Sequence, residues 1–336
     1  MPRMRMNQAI AQAIADEMRS DPTVVVFGED VAEAGGPFKT TDGLLIEFGP
    51  NRVRDTPISE MGFLGAAVGA AATGLRPVVE IMFIEFLGVA LDQLVTQGSK
   101  FRYLSAGKVT VPMTIRASVG AGLGFAAQHS QTLESWMLAS PGLKVASASG
   151  AENAYGLLRS AIQDEDPVVF LEPRRLYAVR GDVKVGSNAA IPLGQARIVR
   201  SGEDVTIVAF GSTVRVAVDA AEQAEFSAEI IDLQTLVPWD RQAVLESVAR
   251  TKRLVIVEEN PYSFGWGTEI ATKVASELFG DLEAPVLRVT TPDVPVPFGK
   301  ALEERFLPST SYLLAQTRYL LETGTLPRPW WEGGPT

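Results

Sequence analysis

The hydrophobic pattern of the first half of the chain alternates short apolar runs with stretches of helical period. The apolar runs predict buried strands, at Thr23–Gly28, Val78–Phe83, Val109–Arg116, Leu143–Ser147 and Val168–Glu172. Helical spacing predicts an amphipathic N-terminal helix with Met6, Ile10, Ala13, Ile14 and Met18 on one face, and further helices over Phe86–Leu104 and Ala151–Asp164. Strands alternating with helices predict parallel βαβ units in a doubly wound sheet.

The second half of the chain shows the same alternation of predicted strands and helices, after an intervening segment that lacks it. Tyr177–Gly194 is polar, contains glycine and lacks helical period, which predicts a linker. Strands are then predicted at Asp204–Phe210, Ala228–Asp232, Arg253–Glu258 and Pro285–Val289, with helices at Thr213–Ala224, Arg241–Arg250 and Thr268–Leu278. The fold class is therefore two doubly wound α/β domains, over residues 1–185 and 195–325. Residues 326–336, rich in Pro and Gly, are predicted to be a disordered tail, with a docking segment as the alternative.

Composition excludes several classes of function. A net charge of −10 over 336 residues argues against a nucleic-acid-binding protein. The absence of cysteine excludes disulfides, thiolate catalysis and cysteine metal sites, and the single histidine argues against a histidine zinc cage. Asp16 and Glu17 stand where a signal peptide would need its apolar core, and no segment reads as a membrane span. The predicted compartment is the cytoplasm.

One stretch, Asp55–Phe86, combines a carboxylate with a helix of small residues. Ser59 is a candidate N-cap and Glu60 begins the helix. Small residues follow, at Gly62, Gly65, Ala66, Gly69, Ala70 and Gly74. Repeated glycine is unfavourable within a helix, so close approach of a second helix is expected here. The apolar run is short for a membrane span, which favours a helix–helix interface in a soluble protein and makes this helix the candidate for a subunit contact.

Glu60 has two interpretations from the sequence alone. Apolar neighbours, Ile58, Met61 and Phe63, would raise the pKa of this carboxyl and suit it to share a proton with a nitrogen base. The alternative is an ordinary first-turn acid favoured by the helix dipole.

A second candidate is His129, which follows the Gly-rich loop Ser118–Leu123 and has polar neighbours. The near-neutral pKa of histidine suits proton transfer, although a lone histidine is more often structural. Met82 and Phe86 are spaced by four residues, which fits core packing as well as a pocket wall.

Three strings in order, TPISEMGF, GLRPVVEIMF and AAQHSQ, closely resemble the β subunit of thiamine-diphosphate-dependent 2-oxo acid dehydrogenase E1 components. This family includes the pyruvate, branched-chain and acetoin dehydrogenases, and the resemblance runs from about Met6 to Pro308. It implies a transketolase-like pyrimidine-binding domain followed by a transketolase C-terminal-like domain. It also implies that Glu60 activates thiamine diphosphate through N1′ of its aminopyrimidine and that Met82 and Phe86 pack on that ring. His129 would face the entrance and bind substrate or assist acyl transfer to lipoamide.

The resemblance also bears on metals and partners. Five residues match a structural potassium site of related β subunits, namely Met113, Ala161, Ile162, Asp164 and Asp166. The alternative is that Asp164 and Asp166 simply end a helix before Pro167. The family's magnesium motif, Gly-Asp-Gly followed by an Asn pair, does not occur in this sequence. Magnesium and the diphosphate are therefore expected on an α subunit, with the cofactor shared between the two chains of an α2β2 heterotetramer.

The resulting prediction is the β subunit of an E1 component that decarboxylates pyruvate or a branched-chain 2-oxo acid, or cleaves acetoin, and reductively acylates lipoamide on E2. RASVGAGLGFAAQHSQ and FRYLSAGK lean towards acetoin-type enzymes, whereas TPISEMGF fits pyruvate dehydrogenases equally well. Two alternatives remain open: half of a split transketolase-like transferase, and a non-catalytic assembly subunit.

Overall fold

The apolar runs of the sequence form the strands of two α/β units, which the computed structural model describes over residues 1–334. The first unit comprises Met1–Gly120, Trp136–Leu193 and Leu236–Pro238. The second comprises Ala121–Ser135, Gly194–Thr235 and the described residues from Trp239 onward. The predicted fold class, two α/β domains, is confirmed, although each unit is discontinuous in sequence.

Elements up to residue 193 are eight strands and seven helices. The strands β1–β8 are Arg3–Arg5, Val24–Gly28, Val53–Asp55, Arg76–Ile81, Thr114–Val119, Lys144–Ser147, Val168–Pro173 and Arg180–Asp182. The helices α1–α7 are Met6–Ser20, Leu44–Phe48, Glu60–Ala72, Leu87–Asp92, Phe101–Leu104, Glu134–Leu138 and Ala151–Gln163. Short 3-10 turns cover Ile84–Phe86, Arg174–Leu176 and Ser187–Ala189, and a π-helix covers Gln93–Gly98.

Elements after residue 193 complete the chain. The strands β9–β14 are Arg197–Arg200, Val205–Ala209, Ala228–Asp232, Thr235–Val237, Leu254–Pro261 and Leu287–Thr291. The helices α8–α12 are Thr213–Gln223, Arg241–Thr251, Gly267–Glu277, Lys300–Phe306 and Thr310–Thr323, followed by a 3-10 turn at Trp330–Glu332. None of the helices within residues 1–334 has the length and apolar character needed to cross a membrane.

The first unit is built on a seven-stranded sheet in the order β12-β6-β7-β5-β4-β2-β3. The pairs from β6 through β3 are all parallel, so the carboxyl ends of these strands share one edge. Both faces of such a sheet are covered, which is why its strands are apolar runs without alternation. Helices α1 and α7 pack together in its core, where the buried side chains of Glu17 and Arg159 form an ion pair.

The second unit has a five-stranded sheet in the order β14-β13-β10-β11-β9, in which only the β11–β9 pair is antiparallel. Strand β11 covers the predicted residues, Ala228–Asp232, and all five of them are buried. Helices α8 and α12 pack on this sheet through a core that includes Val214, Ala217 and Leu313.

The predicted single helix over Phe86–Leu104 is wrong, because four short elements occupy this stretch. Its centre is the π-helix, in which the Ser99 amide donates to the Leu94 carbonyl at 3.0 Å. The preceding helix α3 approaches closely, since a Cβ on Gly65 would lie 2.9 Å from Oε1 of Gln93. A period of 3.6 in the sequence does not reveal an inserted wide turn of this kind.

Three further predictions are corrected. Strand β5 begins at Thr114 rather than Val109, and Pro112, which has no amide to donate to a ladder, lies in the stretch before it. The predicted linker Tyr177–Gly194 contains β8, which pairs antiparallel with β1 and belongs to the first unit as far as Leu193. The predicted disorder of residues 326–336 is wrong for 326–334, and residues 335–336 lie outside the described residues.

Order in the C-terminal stretch comes from its tryptophans. The Arg305 guanidinium lies over the Trp330 ring at 4.5 Å, and the Trp330 amide donates to the Tyr312 hydroxyl at 3.4 Å. The ring of Trp331 meets that of Tyr262 edge-on at 6.4 Å. These contacts of the aromatic rings offset the conformational entropy that a Pro/Gly-rich segment loses when it becomes ordered.

Candidate active site

The carboxyl edge of the parallel sheet in the first unit gathers several of the predicted site residues. Glu60 is the first residue of α3, and its side chain is buried, with 8% of the residue exposed. Ser59 occupies the N-cap position, but its hydroxyl donates to the Pro57 carbonyl instead of capping the helix. No described residue donates a hydrogen bond to the Glu60 carboxyl or pairs with it as a cation. The carboxyl is therefore available to a nitrogen of a bound molecule.

A second acid, which the sequence interpretation missed, lies close to Glu60. Glu29 follows strand β2, and its Oε1 atom is buried without a hydrogen-bond partner among the described residues. Burial raises the pKa of Glu29, and the negative charges of Glu60 and Asp30 raise it further. The only signal in the sequence is the position of Glu29 directly after a buried strand.

Met82 and Phe86 lie at the junction between β4 and the helices that follow it. Both side chains are half-buried, and the Met82 carbonyl accepts a hydrogen bond from the Ser118 hydroxyl on β5. The Phe86 ring meets the Phe83 ring edge-on at 5.8 Å, and the Arg174 guanidinium lies 5.0 Å from the centre of the Phe83 ring. These contacts fix an aromatic wall at the same sheet edge as Glu60.

A buried ionic cluster lies within the sheet. Arg116 on β5 is 1% exposed and pairs with Glu80 on β4 at 2.8 Å and with Glu172 on β7 at 2.7 and 2.9 Å. Tyr177 donates to Glu172 at 2.7 Å, and Thr40 donates to Glu80 at 3.1 Å. Burial alone would lower the pKa of Arg116, but the two carboxylates outweigh it and hold the pKa above its usual value. The cluster joins three adjacent strands near the site.

His129 belongs to the second unit, in the segment Ala121–Ser135. Its backbone amide donates to the Ala126 carbonyl at 3.4 Å, and Ala126 takes a positive φ of 60° in this turn. The side chain is half-buried, and the neighbouring Ser130 hydroxyl is buried without a partner among the described residues. Glu60, Met82 and Phe86 are therefore held by the first unit, and His129 by the second.

Two acids of the second unit, Glu258 and Glu259, are buried in strand β13. Glu258 is buried in β13 and pairs with Arg288, and burial raises the pKa of the Glu258 carboxyl despite this cation. Glu259, also buried, accepts a hydrogen bond from the Ala121 amide at 2.6 Å and from the Ser212 hydroxyl at 2.8 Å. The partners of Glu259 are far away in sequence, which is why no local pattern reveals its role.

Two of the five predicted potassium ligands accept hydrogen bonds from a guanidinium. Arg76 donates to the carbonyls of Ile162 and Asp164 at 3.2 and 3.0 Å. The Asp164 carboxylate pairs with Lys144, and the Asp166 carboxylate pairs with Arg102. The carbonyls of Met113 and Ala161 each accept one backbone amide, leaving a second lone pair on each oxygen. Within residues 1–334, no cluster of three or more His, Asp or Glu side chains could hold a metal ion.

A cavity of about 1030 Å³ in the first unit lies away from Glu60. Its walls include Val111, Leu143, Pro167 and Val237, and Asp166 is the one predicted site residue among them. Size alone would favour this cavity as a ligand site, but it contains neither the free carboxyl nor the aromatic wall described above.

Comparison with known proteins agrees with this architecture. Residues 3–180 match the family described as transketolase, pyrimidine binding domain, and residues 194–312 match transketolase, C-terminal domain. The chain is 44% identical over 335 residues to acetoin:2,6-dichlorophenolindophenol oxidoreductase subunit beta of Cupriavidus necator, covering 96% of this chain and 98% of that protein. It is 45% identical over 314 residues to pyruvate dehydrogenase E1 component subunit beta of Rhizobium meliloti, covering 93% of this chain and 68% of that protein.

Among solved structures, the chain is similar to one titled split gene transketolase, inactive beta4 tetramer. The TM-score is 0.75 with 25% sequence identity, over 95% of this chain and 98% of that chain. A transketolase from Leishmania mexicana shares the fold, with a TM-score of 0.71 over 96% of this chain and 46% of that chain.

Proposed function

Because this chain belongs to the family of the pyruvate and acetoin dehydrogenase E1 β subunits, we propose that it is the β half of a thiamine-diphosphate-dependent E1 component. The complete enzyme would decarboxylate pyruvate or a branched-chain 2-oxo acid, or cleave acetoin, and transfer the acyl group reductively to lipoamide on E2. The observation that carries the proposal is the buried Glu60 carboxyl at the sheet edge, which no described residue satisfies.

The residues of the first unit fit the aminopyrimidine half of the cofactor. When bound, thiamine diphosphate supplies a nucleophilic thiazolium carbon and an amine that acts as a base. Glu60 would hold a proton at the pyrimidine N1′ atom, because no described residue already occupies its carboxyl. Met82 and Phe86 would orient the ring through apolar contact. The first unit is therefore the proposed pyrimidine-binding domain.

His129 is the proposed group at the acyl-transfer step. The two ring nitrogens of an imidazole can accept and donate a proton, which suits the place where the substrate or the lipoyl acceptor binds. This assignment is supported by the resemblance of AAQHSQ to the family and by the half-buried position of the side chain.

The diphosphate and magnesium are proposed to bind to an α subunit in an α2β2 assembly. This chain has no Gly-Asp-Gly motif, and none of its described residues form a cluster of three metal-binding acids or histidines. The name of the split transketolase structure, an inactive tetramer of β chains, supports a catalytic need for a second kind of chain. Helix α3 offers a contact surface, since Met61 and Gly69 are exposed.

Potassium is proposed as a structural ion beside Met113 and Ala161. Peptide carbonyls with a spare lone pair suit a weakly hydrated monovalent cation. The carbonyls of Ile162 and Asp164 already accept hydrogen bonds from Arg76, so the ion would have to use the lone pairs that remain on these and the neighbouring carbonyl oxygens. A higher melting temperature in potassium chloride than in sodium chloride would support it.

The test is reductive acylation of a purified lipoyl domain by the α–β complex, with pyruvate, 3-methyl-2-oxobutanoate and acetoin supplied separately. Activity with any one of them, dependent on thiamine diphosphate and magnesium, supports the proposal and identifies the substrate. Identity values of 44% and 45% to acetoin and pyruvate enzymes do not separate these substrates.

A split transketolase-like transferase is the second candidate, supported by the TM-score of 0.75 to a split gene transketolase. Such an enzyme would transfer a two-carbon unit from a ketose phosphate to an aldose phosphate without a lipoyl domain. Ketose transfer without lipoyl acylation would favour this candidate. Absence of both activities in the intact complex would instead favour a non-catalytic assembly subunit.

A further inference from the structure

The segment Ala121–Ser135, named here the strap, belongs to the second unit although Gly120 and Trp136 on either side belong to the first. Apart from the start of α6, the strap has neither helix nor strand. A segment without regular structure must satisfy its backbone groups elsewhere if it is to hold one conformation. The contacts of the strap are therefore informative about its role.

The beginning of the strap is held by two buried carboxylates. Glu303 on α11 accepts hydrogen bonds from the amides of Gly122 at 2.8 Å and Gly124 at 3.0 Å. Glu259 on β13 accepts the Ala121 amide at 2.6 Å. The two glycines have φ values of +98° and +74°, and this left-handed backbone turns both of their amides towards one carboxylate.

The end of the strap is held by the strand that carries Glu259. The Thr132 hydroxyl donates to the Glu259 carbonyl, and the Asn260 side-chain amide donates to the Glu134 carboxyl at 2.8 Å. Glu259 therefore fastens the strap on both sides of His129, with its side chain before the histidine and its backbone after it.

Glu303 is unusual as a buried acid. It is 3% exposed, and no Lys or Arg within residues 1–334 forms an ion pair with its carboxylate. A buried carboxylate needs either a cation or several donors, and here backbone amides of the strap supply those donors. The arrangement is thus specific to holding the strap, because no other group in the described chain compensates the charge.

We propose that Glu303 and Glu259 are positioning residues that fix the strap so that His129 meets the acyl acceptor. This inference rests on the proposed function, because it assigns the effect to the acceptor step. Both carboxylates accept backbone amides of the strap, and the Glu259 carboxylate also accepts the Ser212 hydroxyl, which fits a structural role for each.

The first measurement does not depend on activity. Amide hydrogen exchange is followed in the intact α–β complex for peptides that contain Gly122 and Gly124, in the native chain, in Glu303→Gln and in Glu303→Ala. We expect exchange to rise about ten-fold in Glu303→Ala and less in Glu303→Gln, which keeps one acceptor oxygen. Glu304→Gln is the matched control, because Glu304 is the next residue and is 65% exposed.

The second measurement locates the effect on the reaction. We expect Glu303→Ala to lower kcat for lipoyl-domain acylation about ten-fold, while turnover with the artificial acceptor dichlorophenolindophenol and cofactor affinity change less than two-fold. Glu303→Asp, which keeps the carboxylate on a shorter side chain, should recover part of the acylation rate that Glu303→Ala loses. Thr132→Val loosens the other end of the strap and should give the same selective loss if the Glu303 variants fail to fold.

The outcomes separate this inference from the proposed function. Unchanged exchange at Gly122 and Gly124 would overturn the inference whatever the activity. Faster exchange with equal losses for both acceptors would also overturn it, because the strap would then serve general stability. If the native complex acylates no lipoyl domain, the proposed function fails, and with it the assignment of the strap to the acceptor step.

Discussion

The Asn260 side chain donates a hydrogen bond of 2.8 Å to the carboxyl of Glu134 at the end of the strap. Burial raises the pKa of Glu134 to about 7, although the hydrogen bond from Asn260 acts in the opposite direction. The nearby charges of Glu259 and Glu258 raise the pKa further. Glu134 is thus a group of the second unit that titrates near neutral pH.

This relationship predicts a change of stability with pH. The folded chain retains the Glu134 proton up to about pH 7, whereas the unfolded chain releases it near its ordinary pKa of 4.5. The protonated Glu134 carboxyl therefore makes its full contribution to the free energy of unfolding below about pH 4.5. This contribution is lost as the pH rises towards 7, and the loss amounts to at most about 3 kcal/mol. In urea unfolding experiments between pH 4.5 and 7, Glu134→Gln should remove this decrease of the free energy of unfolding with pH.

The exposed acid Glu304 provides the control for this measurement. Glu304→Gln should leave the pH profile parallel to that of the native chain, since its side chain is 65% exposed. A native profile that already matches Glu134→Gln between pH 4.5 and 7 would show that the carboxyl does not retain its proton in the folded chain.

Glu60→Gln is expected to abolish most of the activity without unfolding the protein. Glutamine has nearly the same shape, but it cannot exchange a proton with the pyrimidine nitrogen, so kcat should fall about a hundredfold or more. The melting temperature should stay the same or rise slightly, because the repulsion between Glu60 and Glu29 disappears. The exposed Glu33→Gln is the control, with activity expected within two-fold of the native complex. Near-normal turnover in Glu60→Gln would refute its assignment.

The sequence predicted the fold well where local patterns decide it. Strand β11 matched to the residue, and α7 differed only at its last residue, because each is an apolar pattern between turn residues. The predicted helix over Phe86–Leu104 failed because a π-helix, whose Gln93 lies close to Gly65 of α3, interrupts it without leaving a mark on the 3.6-residue period. The order around Trp330 was missed because Arg305 and Tyr312 supply the partners.

The placement of the candidate site residues was partly predictable from the sequence, whereas their chemical roles rest on a family resemblance and stay predictions. Glu60, Met82 and Phe86 fall at one sheet edge, as a strand followed by a helix predicts. Glu29 and Glu303 were missed, since their significance depends on groups brought close by folding. No local period or spacing distinguishes such acids from solvated ones.

His129→Ala is expected to impair acyl transfer more than cofactor binding. Loss of a positioned proton donor should lower kcat for lipoyl-domain acylation about a hundredfold, with thiamine diphosphate affinity changed less than two-fold. The measurement compares lipoyl acylation with cofactor titration by fluorescence on the same preparation. Gln128→Ala, at the exposed neighbouring position, should retain activity. Equal acylation by His129→Ala and the native complex would contradict a role in this step.

Gly69→Leu is expected to prevent assembly with the α subunit while the β chain still folds. The Gly69 position is exposed, and a Cβ placed there meets no described atom within 4 Å, so a larger side chain fits within the isolated chain. A partner helix that approaches α3 closely would collide with it. Size-exclusion chromatography with light scattering measures the loss of the α2β2 species, and circular dichroism checks the fold. Exposed Glu33→Gln should assemble normally, and an intact heterotetramer with leucine at position 69 would exclude α3 as the close contact.

Arg116→Met is expected to destabilise the first unit strongly. The substitution removes the cation that Glu80 and Glu172 share and leaves two buried carboxylates without a charge partner. Breaking a buried pair in this way costs about 3–5 kcal/mol, which should appear as a lower urea midpoint for unfolding of the first unit. Arg215→Met is the control, because Arg215 is 69% exposed and its pair with Asp219 should contribute less than about 1 kcal/mol. Equal midpoints for Arg116→Met and Arg215→Met would mean that the buried cluster does not hold β4, β5 and β7 together.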